Sequence, residues 1–240
     1  MKARLDRLLV DRGFAPTREK AQALIMAGAV RVDGRKAAKP GQPVDGEIGI
    51  EVAAQPPYVG RGGLKLAAAL AHFGIRAADR ICLDIGASTG GFTDCLLQQG
   101  ATRVHAVDVG AGQLDWKIRS DPRVVVHEKI NARYLRPEDL GEPIDLAVCD
   151  VSFISATMIV PAVCPVLQPG GEMVILVKPQ FEVGKGQVGK GGIVREPELH
   201  QAACRRVDDA MRQLGFKTAL IESPILGAEG NREFLLHAHH

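Results

Sequence analysis

The sequence contains few cysteines, and no two of them are close together. The 240-residue chain has five, an odd number, and no C-x-x-C pair. Disulfide frameworks and zinc sites in small domains need paired or closely spaced cysteines. We therefore expect no disulfide framework, no metal site, and a reducing compartment such as the cytoplasm. The five cysteines are Cys82, Cys95, Cys149, Cys164 and Cys204.

A long apolar run is also missing. The chain is charged from Lys2 onward, and its longest apolar stretch, residues 153–167, contains prolines. This stretch is shorter than the roughly 18 consecutive apolar residues that indicate a spanning helix, and the N-terminus has no apolar signal core. The sequence therefore predicts neither secretion nor insertion into a membrane.

The overall charge is small, but it is unevenly distributed. The whole chain carries a net charge of +2, whereas residues 1–39 contain ten Lys or Arg against four Asp or Glu. Such a local excess of positive charge is typical of a segment that binds an anionic partner.

The first part of the chain has the pattern of a small α+β module. Leucines recur on one face of a predicted helix over residues 4–12, and a second helix is predicted after Thr17 and before Gly28. Short strands are expected over residues 29–32 and around residues 44–52, joined by tight turns.

The remainder of the chain predicts a larger α/β domain. We expect a first domain over residues 1–54, a proline-bearing linker over residues 55–62, and a second domain over residues 63–240. The second domain begins with a helix over residues 64–73 and has another predicted over residues 155–167. Strands alternating with helices indicate a doubly wound, mostly parallel sheet of seven strands. The predicted strands cover residues 81–85, 103–108, 124–127, 144–150, 173–178, 216–222 and 233–237.

A glycine-rich turn follows the first strand of this sheet. The segment ICLDIGASTGGF has an acid, Asp84, near the strand's carboxyl end, and glycines at 86, 90 and 91 that allow a ligand to approach the backbone. Asp108 ends the next strand, where a carboxylate can bind both hydroxyls of a ribose. A cofactor that contains a nucleoside is therefore expected in the crevice beside this turn.

Three other motifs resemble this turn or a later glycine-rich segment, and each fits the sequence less well. Gly86–Gly90 matches the G-x-S-x-G turn of hydrolases, but those enzymes have several strands before that turn. A dinucleotide fingerprint needs glycine at the position of Ser88. The segment 184–191 is similar to a phosphate loop, but Gly191 replaces the hydroxyl residue that binds magnesium there.

Two polar residues end predicted strands. Asp150 follows the apolar run 144–149, and Lys178 follows the apolar run 173–177. Both are expected to face the cofactor crevice, because ligands bind at the carboxyl ends of parallel strands. The lysine could handle a proton in catalysis, since burial and neighbours readily change a lysine pKa. A purely structural ion pair between the two residues is the alternative.

Several sequence blocks in the same order resemble one family. The chain is similar to the TlyA family of rRNA 2′-O-methyltransferases, also labelled hemolysin A, in which an S4-type RNA-binding domain precedes a Rossmann-like methyltransferase domain of the FtsJ type. The blocks that carry the resemblance are RLDRLLVDRGFAPTREKAQALIMAGAVRVDG, YVGRGGLKL, LDIGASTGGFTDCLLQQGA, DVSFIS, LVKPQFE and GNREF.

The resemblance implies a reaction and a set of catalytic and cofactor residues. The reaction is methyl transfer from S-adenosylmethionine to a ribose 2′-hydroxyl, of cytidine, in ribosomal RNA. The implied catalytic set is Lys65, Asp150, Lys178 and Glu233. By their positions alone, Lys65 and Glu233 would be ordinary solvated charges as readily as functional ones. The cofactor is expected to contact Asp84, Gly86, Ser88, Thr89, Gly90, Gly91, Phe92, Asp108, Asn131 and Asp150.

The resemblance also implies ribosomal RNA or ribosomal subunits as the partner. Phosphate contacts would position the RNA by charge and shape. The candidates for these contacts are Arg4, Arg7, Arg18, Lys20, Arg31, Arg35, Lys36 and Arg61. A non-catalytic RNA-binding or ribosome-assembly factor, or a cytolysin, is the alternative function. Base methylation is less expected, because Asp150 is followed by Val-Ser-Phe where enzymes that methylate amines usually have a Pro-Pro-aromatic motif.

Overall fold

The structure is a computed structural model that describes residues 2–53, 56–227 and 229–240. The chain divides into two compact units, and the boundary lies between Pro56 and Pro57. The second unit therefore includes residues 57–62, which the sequence analysis assigned to the linker. In this segment the Val59 N–H donates to Asp94 Oδ2.

The first unit consists of two short helices and two small antiparallel sheets. Its elements are β1 (Lys2–Arg4), α1 (Leu5–Asp11), α2 (Arg18–Met26), β2 (Val30–Val32), β3 (Arg35–Lys36), β4 (Pro43–Asp45) and β5 (Ile50–Val52). Strand β1 pairs with β4, and β2 lies between β3 and β5. Helix α1 buries Leu5, Leu8 and Leu9, and Thr17 caps α2 by accepting a hydrogen bond from the Lys20 N–H. Both helices were predicted, whereas β1 was not.

The second unit has one seven-stranded sheet. Its strands are β6 (Ile81–Ile85), β7 (Arg103–Asp108), β8 (Val124–Glu128), β9 (Ile144–Cys149), β10 (Leu167–Val177), β11 (Lys217–Glu222) and β12 (Phe234–His239). The strand order is β11-β12-β10-β9-β6-β7-β8. Strand β12 runs antiparallel to both of its neighbours, β10 and β11, and the remaining neighbouring pairs are parallel. The doubly wound, mostly parallel sheet that the sequence predicted is confirmed.

Helices cover both faces of this sheet. They are α3 (Gly62–Phe73), α4 (Gly91–Gln98), α5 (Trp116–Arg119), α6 (Pro137–Leu140), α7 (Val160–Val163), α8 (Pro179–Glu182) and α9 (Pro197–Gln213). Two buried apolar clusters lie on opposite faces of the sheet, with alternate residues of β6 in each. Among the described residues, no helix is long and apolar enough to cross a membrane.

The single helix predicted over residues 155–167 is wrong. The segment instead contains a 3-10 turn at Ala156–Met158, then α7, then a second 3-10 turn at Cys164–Val166. Pro161 and Pro165 explain the breaks, because proline lacks the N–H that a continuous helix needs. Strand β10 then begins at Leu167, earlier than predicted, with a register irregularity against β9 between Leu167 and Glu172.

Candidate active site at the carboxyl edge of the sheet

The turn after β6 can lie against the end of β9 only because it contains glycine. Gly86 has φ of +81°, and a Cβ atom there would lie 2.4 Å from the Asp150 carbonyl oxygen. The backbone also joins these strands, since the Asp150 N–H donates to the Ile85 carbonyl. Gly86 therefore brings the glycine-rich turn and Asp150 together.

Asp108, at the end of β7, anchors the same turn. Its Oδ2 accepts a hydrogen bond of 2.8 Å from the Ser88 N–H, and its Oδ1 accepts one of 2.7 Å from the Gly110 N–H. Ser88 has a positive φ of 47°, so the turn is held in a conformation that most residues avoid. Each carboxylate oxygen has a further acceptor position, so Asp108 can still bind two hydroxyl groups.

A cleft of about 460 Å³ opens beside these residues. This volume lies within the range typical of small-molecule sites, roughly 300–1,000 Å³. The residues on its wall include Gly86, Ser88, Asp108, Asn131, Asp150, Ser152 and Phe153. A smaller adjoining hollow is lined by Gly60, Arg61, Thr89, Gly91, Phe92 and Asp150. Of the predicted cofactor residues, Asp84 and Gly90 line neither space in the part of the chain that the structure describes.

Asp84 is fully buried next to this edge of the sheet. Its Oδ2 accepts a 2.6 Å hydrogen bond from the Thr93 hydroxyl, while its Oδ1 has no partner among the described residues. Burial raises the pKa of Asp84 to about 7, and the negative charges of Asp150 and Asp108 also raise it. Asp108, and Asp84 when it is ionised, form no ion pair among the described residues and so favour a positively charged ligand. The donor set therefore fits a cofactor with an ammonium and a sulfonium group.

Lys178 and Asp150 form the ion pair that the sequence left open as a structural alternative. Lys178 Nζ lies 2.6 Å from Asp150 Oδ1, in an ionic contact whose angles fall outside hydrogen-bond geometry. Lys178 Nζ also donates a 2.8 Å hydrogen bond to the Ser152 hydroxyl. Both charged side chains are mostly buried but keep some contact with solvent. The lysine is thus held by two groups that follow β9.

Lys65 and Glu233 form a second ion pair nearby. Lys65 Nζ lies 2.5 Å from Glu233 Oε2, and the two side chains are only 9% and 3% exposed. This burial excludes the interpretation that they are ordinary solvated charges. Val177 of β10 pairs with Phe234 of β12, and Lys178 and Glu233 are the next residues beyond this pair, so the two are adjacent. Gly62, one turn before Lys65 on α3, approaches Asp150, because a Cβ built on it would lie 3.6 Å from Asp150 Oδ2. The four polar residues therefore gather at one edge.

Two residues at the rim of the cleft contribute exposed groups. Phe153 is 91% exposed, has a positive φ of 66°, and has its ring centroid 5.3 Å from that of Phe181. Asn131 also lines the cleft and is exposed, and its Oδ1 accepts a hydrogen bond from the Arg133 N–H. Ser152 and Phe153 were not predicted as site residues from the sequence, although their position directly after Asp150 was a usable signal.

In the first unit, all seven predicted RNA-contacting side chains are exposed. Two of them already pair with a carboxylate, because Arg4 and Arg18 both bond to the buried side chain of Asp6. The Arg4 guanidinium holds the pKa of Asp6 well below its usual range, with smaller contributions from Gln22 and Arg18. The eighth candidate, Arg61, belongs to the second unit and is exposed beside the smaller hollow.

Comparison with known proteins gives matches along nearly the whole chain. Residues 58–240 match the family model of FtsJ-like methyltransferases, and residues 3–47 match the S4 domain. A Mycobacterium tuberculosis protein named 16S/23S rRNA (cytidine-2′-O)-methyltransferase TlyA is 48% identical over 98% of this chain and 89% of its own. A Brachyspira hyodysenteriae protein named Hemolysin A is 44% identical over 98% of both chains. A solved Streptococcus thermophilus structure labelled as a hemolysin is 46% identical, with a TM-score of 0.76 over 99% of this chain and 88% of its own.

Proposed function

The chain belongs to the FtsJ-like methyltransferases and carries an S4 domain, and from this membership we propose that it transfers the methyl group of S-adenosylmethionine to a ribose 2′-hydroxyl of cytidine in ribosomal RNA. The activity in the name of the mycobacterial relative supports the substrate. The observation that carries the proposal is the ion pair that Lys178 forms with Asp150, which lines a cleft suited to a nucleoside.

The cleft residues divide the binding of the cofactor among them. Asp108 would accept the ribose hydroxyls, and Asn131 would contact the adenine edge. The backbone from Gly86 to Gly91 would lie against the methionine part, and the nearby carboxylates would offset its positive charge. Asp84 would act without lining the cleft, through its charge and through its hydrogen bond to Thr93 on α4.

The protein's own groups must align the attacking oxygen and manage its proton. When bound, S-adenosylmethionine supplies an electrophilic methyl carbon on a positively charged sulfur. The protein's residues would have to hold the 2′-hydroxyl in line with that carbon and provide a base for the hydroxyl proton. We assign the proton to Lys178, whose Nζ is fixed by Asp150 and Ser152; to accept it, the ammonium would first pass a proton to the paired Asp150 carboxylate. The neighbouring Lys65–Glu233 pair would act on that charge electrostatically, because it lies at the same edge of the sheet.

Different parts of the chain would bind the RNA. Residues 1–54 would dock phosphates through their exposed basic side chains, which position RNA by charge and shape. Arg61 would contribute a further cation beside the smaller hollow, and residues 63–240 would carry out catalysis. At the cleft, the exposed ring of Phe153 offers a face on which the target base can stack. The partner would be a folded ribosomal RNA or subunit in the cytoplasm.

The experiment is methyl transfer from labelled S-adenosylmethionine to separated ribosomal subunits, naked rRNA and free cytidine. Lys178→Ala is compared with the matched control Lys217→Ala, an exposed lysine on β11. We expect transfer to ribosomal RNA by the wild type and the control, with loss in Lys178→Ala. Cofactor binding without transfer to any ribosomal RNA would overturn the proposal.

A further inference from the structure

Two segments that leave the carboxyl ends of β9 and β10 are joined at three points. Lys178, after β10, contacts Asp150 and Ser152, after β9. The rings of Phe153 and Phe181 contact each other. The third connection is made by Glu182, at the end of α8, and it differs from the others because it is buried and accepts hydrogen bonds from neutral groups.

We propose that Glu182 is a positioning residue, which holds the segment 150–156 so that Ser152 supports Lys178 and Phe153 stays at the rim of the cleft. The inference rests on the proposed function, since it assigns to Glu182 an indirect role in the same methyl transfer. Glu182 itself lines neither the cleft nor the smaller hollow, so it acts through other residues.

The contacts of Glu182 are directed at the far end of that segment. Its side chain is 3% exposed. Oε1 accepts a 2.7 Å hydrogen bond from the Ala156 N–H, and Oε2 accepts one of 2.5 Å from the Ser155 hydroxyl. Among the described residues, the cation that pairs with it is Arg206, whose Nε is 3.9 Å away on a side chain 53% exposed. Neutral donors therefore provide the close contacts of this carboxylate.

Such an arrangement is costly to fold, which argues that it serves a purpose. A buried carboxylate with mainly neutral partners loses hydration that they replace only in part, and burial accordingly raises the pKa of Glu182. An apolar side chain could fill the same space without that cost. An apolar side chain could not accept hydrogen bonds from both the Ala156 N–H and the Ser155 hydroxyl, and so could not fix the path of the backbone.

The fixed backbone leads directly to the reacting groups. Ser155 is three residues from Ser152 and two from Phe153. Phe153 has a positive φ, a conformation that aspartate and asparagine adopt more readily than phenylalanine. Without Glu182 this strained position loses its nearby anchor. A displacement of about 1 Å in a group that aligns reactants can lower a rate by about 100-fold.

The test compares Glu182→Ala, Glu182→Gln and the control Asp145→Ala, using the full chain. Asp145, at the start of β9, also accepts one backbone N–H, from Ile81, and one side-chain donor, Gln168. Glutamine at 182 keeps an acceptor for the Ala156 N–H, and its amide can donate to the Ser155 hydroxyl. We expect kcat to fall by about 10- to 100-fold in Glu182→Ala, to recover within about threefold in Glu182→Gln, and to change little in Asp145→Ala.

A second measurement does not depend on methyl transfer. The chain has a single tryptophan, Trp116, so Phe153→Trp in a Trp116→Phe background places one fluorescent reporter at the rim. We expect the anisotropy of this reporter to fall when Glu182→Ala is added and to stay unchanged with Glu182→Gln. Unchanged anisotropy in Glu182→Ala, or loss of kcat in Glu182→Gln equal to that in Glu182→Ala, would overturn the positioning role. Absence of transfer in the wild type with the expected anisotropy changes would refute the proposed function alone.

Discussion

The Lys65–Glu233 pair allows stability and activity to be separated. Replacing Glu233 alone by alanine leaves the Lys65 ammonium buried without its partner, which costs about 3–5 kcal/mol for a pair of this kind. For a unit of this size, each kcal/mol lowers Tm by roughly 2–4 °C, so we expect Tm to fall by about 10 °C. The double variant Lys65→Met/Glu233→Leu removes both charges, and it should be close to the wild type in stability or more stable.

Methyl-transfer activity should not change in parallel with the stability of these variants. If the pair tunes the charge around Lys178, the double variant is stable but loses methyl transfer by about 100-fold, as in other sites that lose a preorganised charge. Urea denaturation and transfer assays on the same samples measure both. Glu222→Ala is the control, because it breaks the exposed pair with Arg232 and should cost at most about 1 kcal/mol. A stable double variant with full activity would refute the catalytic assignment, and one as unstable as Glu233→Ala would refute the energetic argument.

Three further predictions concern residues in or beside the cleft. Phe153→Ala should lower kcat/KM for RNA by about tenfold, because loss of base stacking costs roughly 1–3 kcal/mol, and it should leave the cofactor Kd unchanged. Leu226→Ala, at another exposed apolar residue, should have no effect, and equal losses in the two variants would contradict the stacking role. Asp108→Asn should weaken cofactor binding in calorimetry by about 10- to 100-fold, since hydrogen bonds to a charged group contribute about 1.5–3 kcal/mol, whereas Asp209→Asn should not. Burial raises the pKa of Asp84 from 3.8 to about 7, so the contribution of Asp84 to folding stability is present at low pH and is lost as the pH rises through this window. The urea midpoint of the ligand-free wild type should therefore fall relative to that of Asp84→Asn between pH 4 and 8. Parallel curves of urea midpoint against pH for the two proteins would contradict the pKa shift.

The sequence predicts the sheet well because its information is local. The apolar runs, their punctuation by glycine and proline, and the acids at strand ends each depend on a few neighbouring residues, and the strands at Ile81–Ile85 and Arg103–Asp108 have the predicted bounds. The helix predicted over 155–167 failed because the apolar pattern was given more weight than its two prolines. Strand β1 was missed because three residues next to a helix give too short a pattern.

The site was harder to derive, since its pairs depend on the tertiary fold. Asp150 and Lys178 were found because both end predicted strands that lie side by side. Lys65 and Glu233 are 168 positions apart in sequence, and only the family resemblance singled them out. Glu182 was overlooked, because a glutamate after a short helix has no local signal that it is buried against Ser155.

The most direct measurement is mass spectrometry of nucleosides from ribosomal RNA after incubation with the protein and isotope-labelled S-adenosylmethionine. The proposed function predicts label in 2′-O-methylcytidine, in RNA from ribosomal subunits, and no label with Lys178→Ala. Label in a base-methylated nucleoside, or equal labelling by Lys178→Ala, would contradict it.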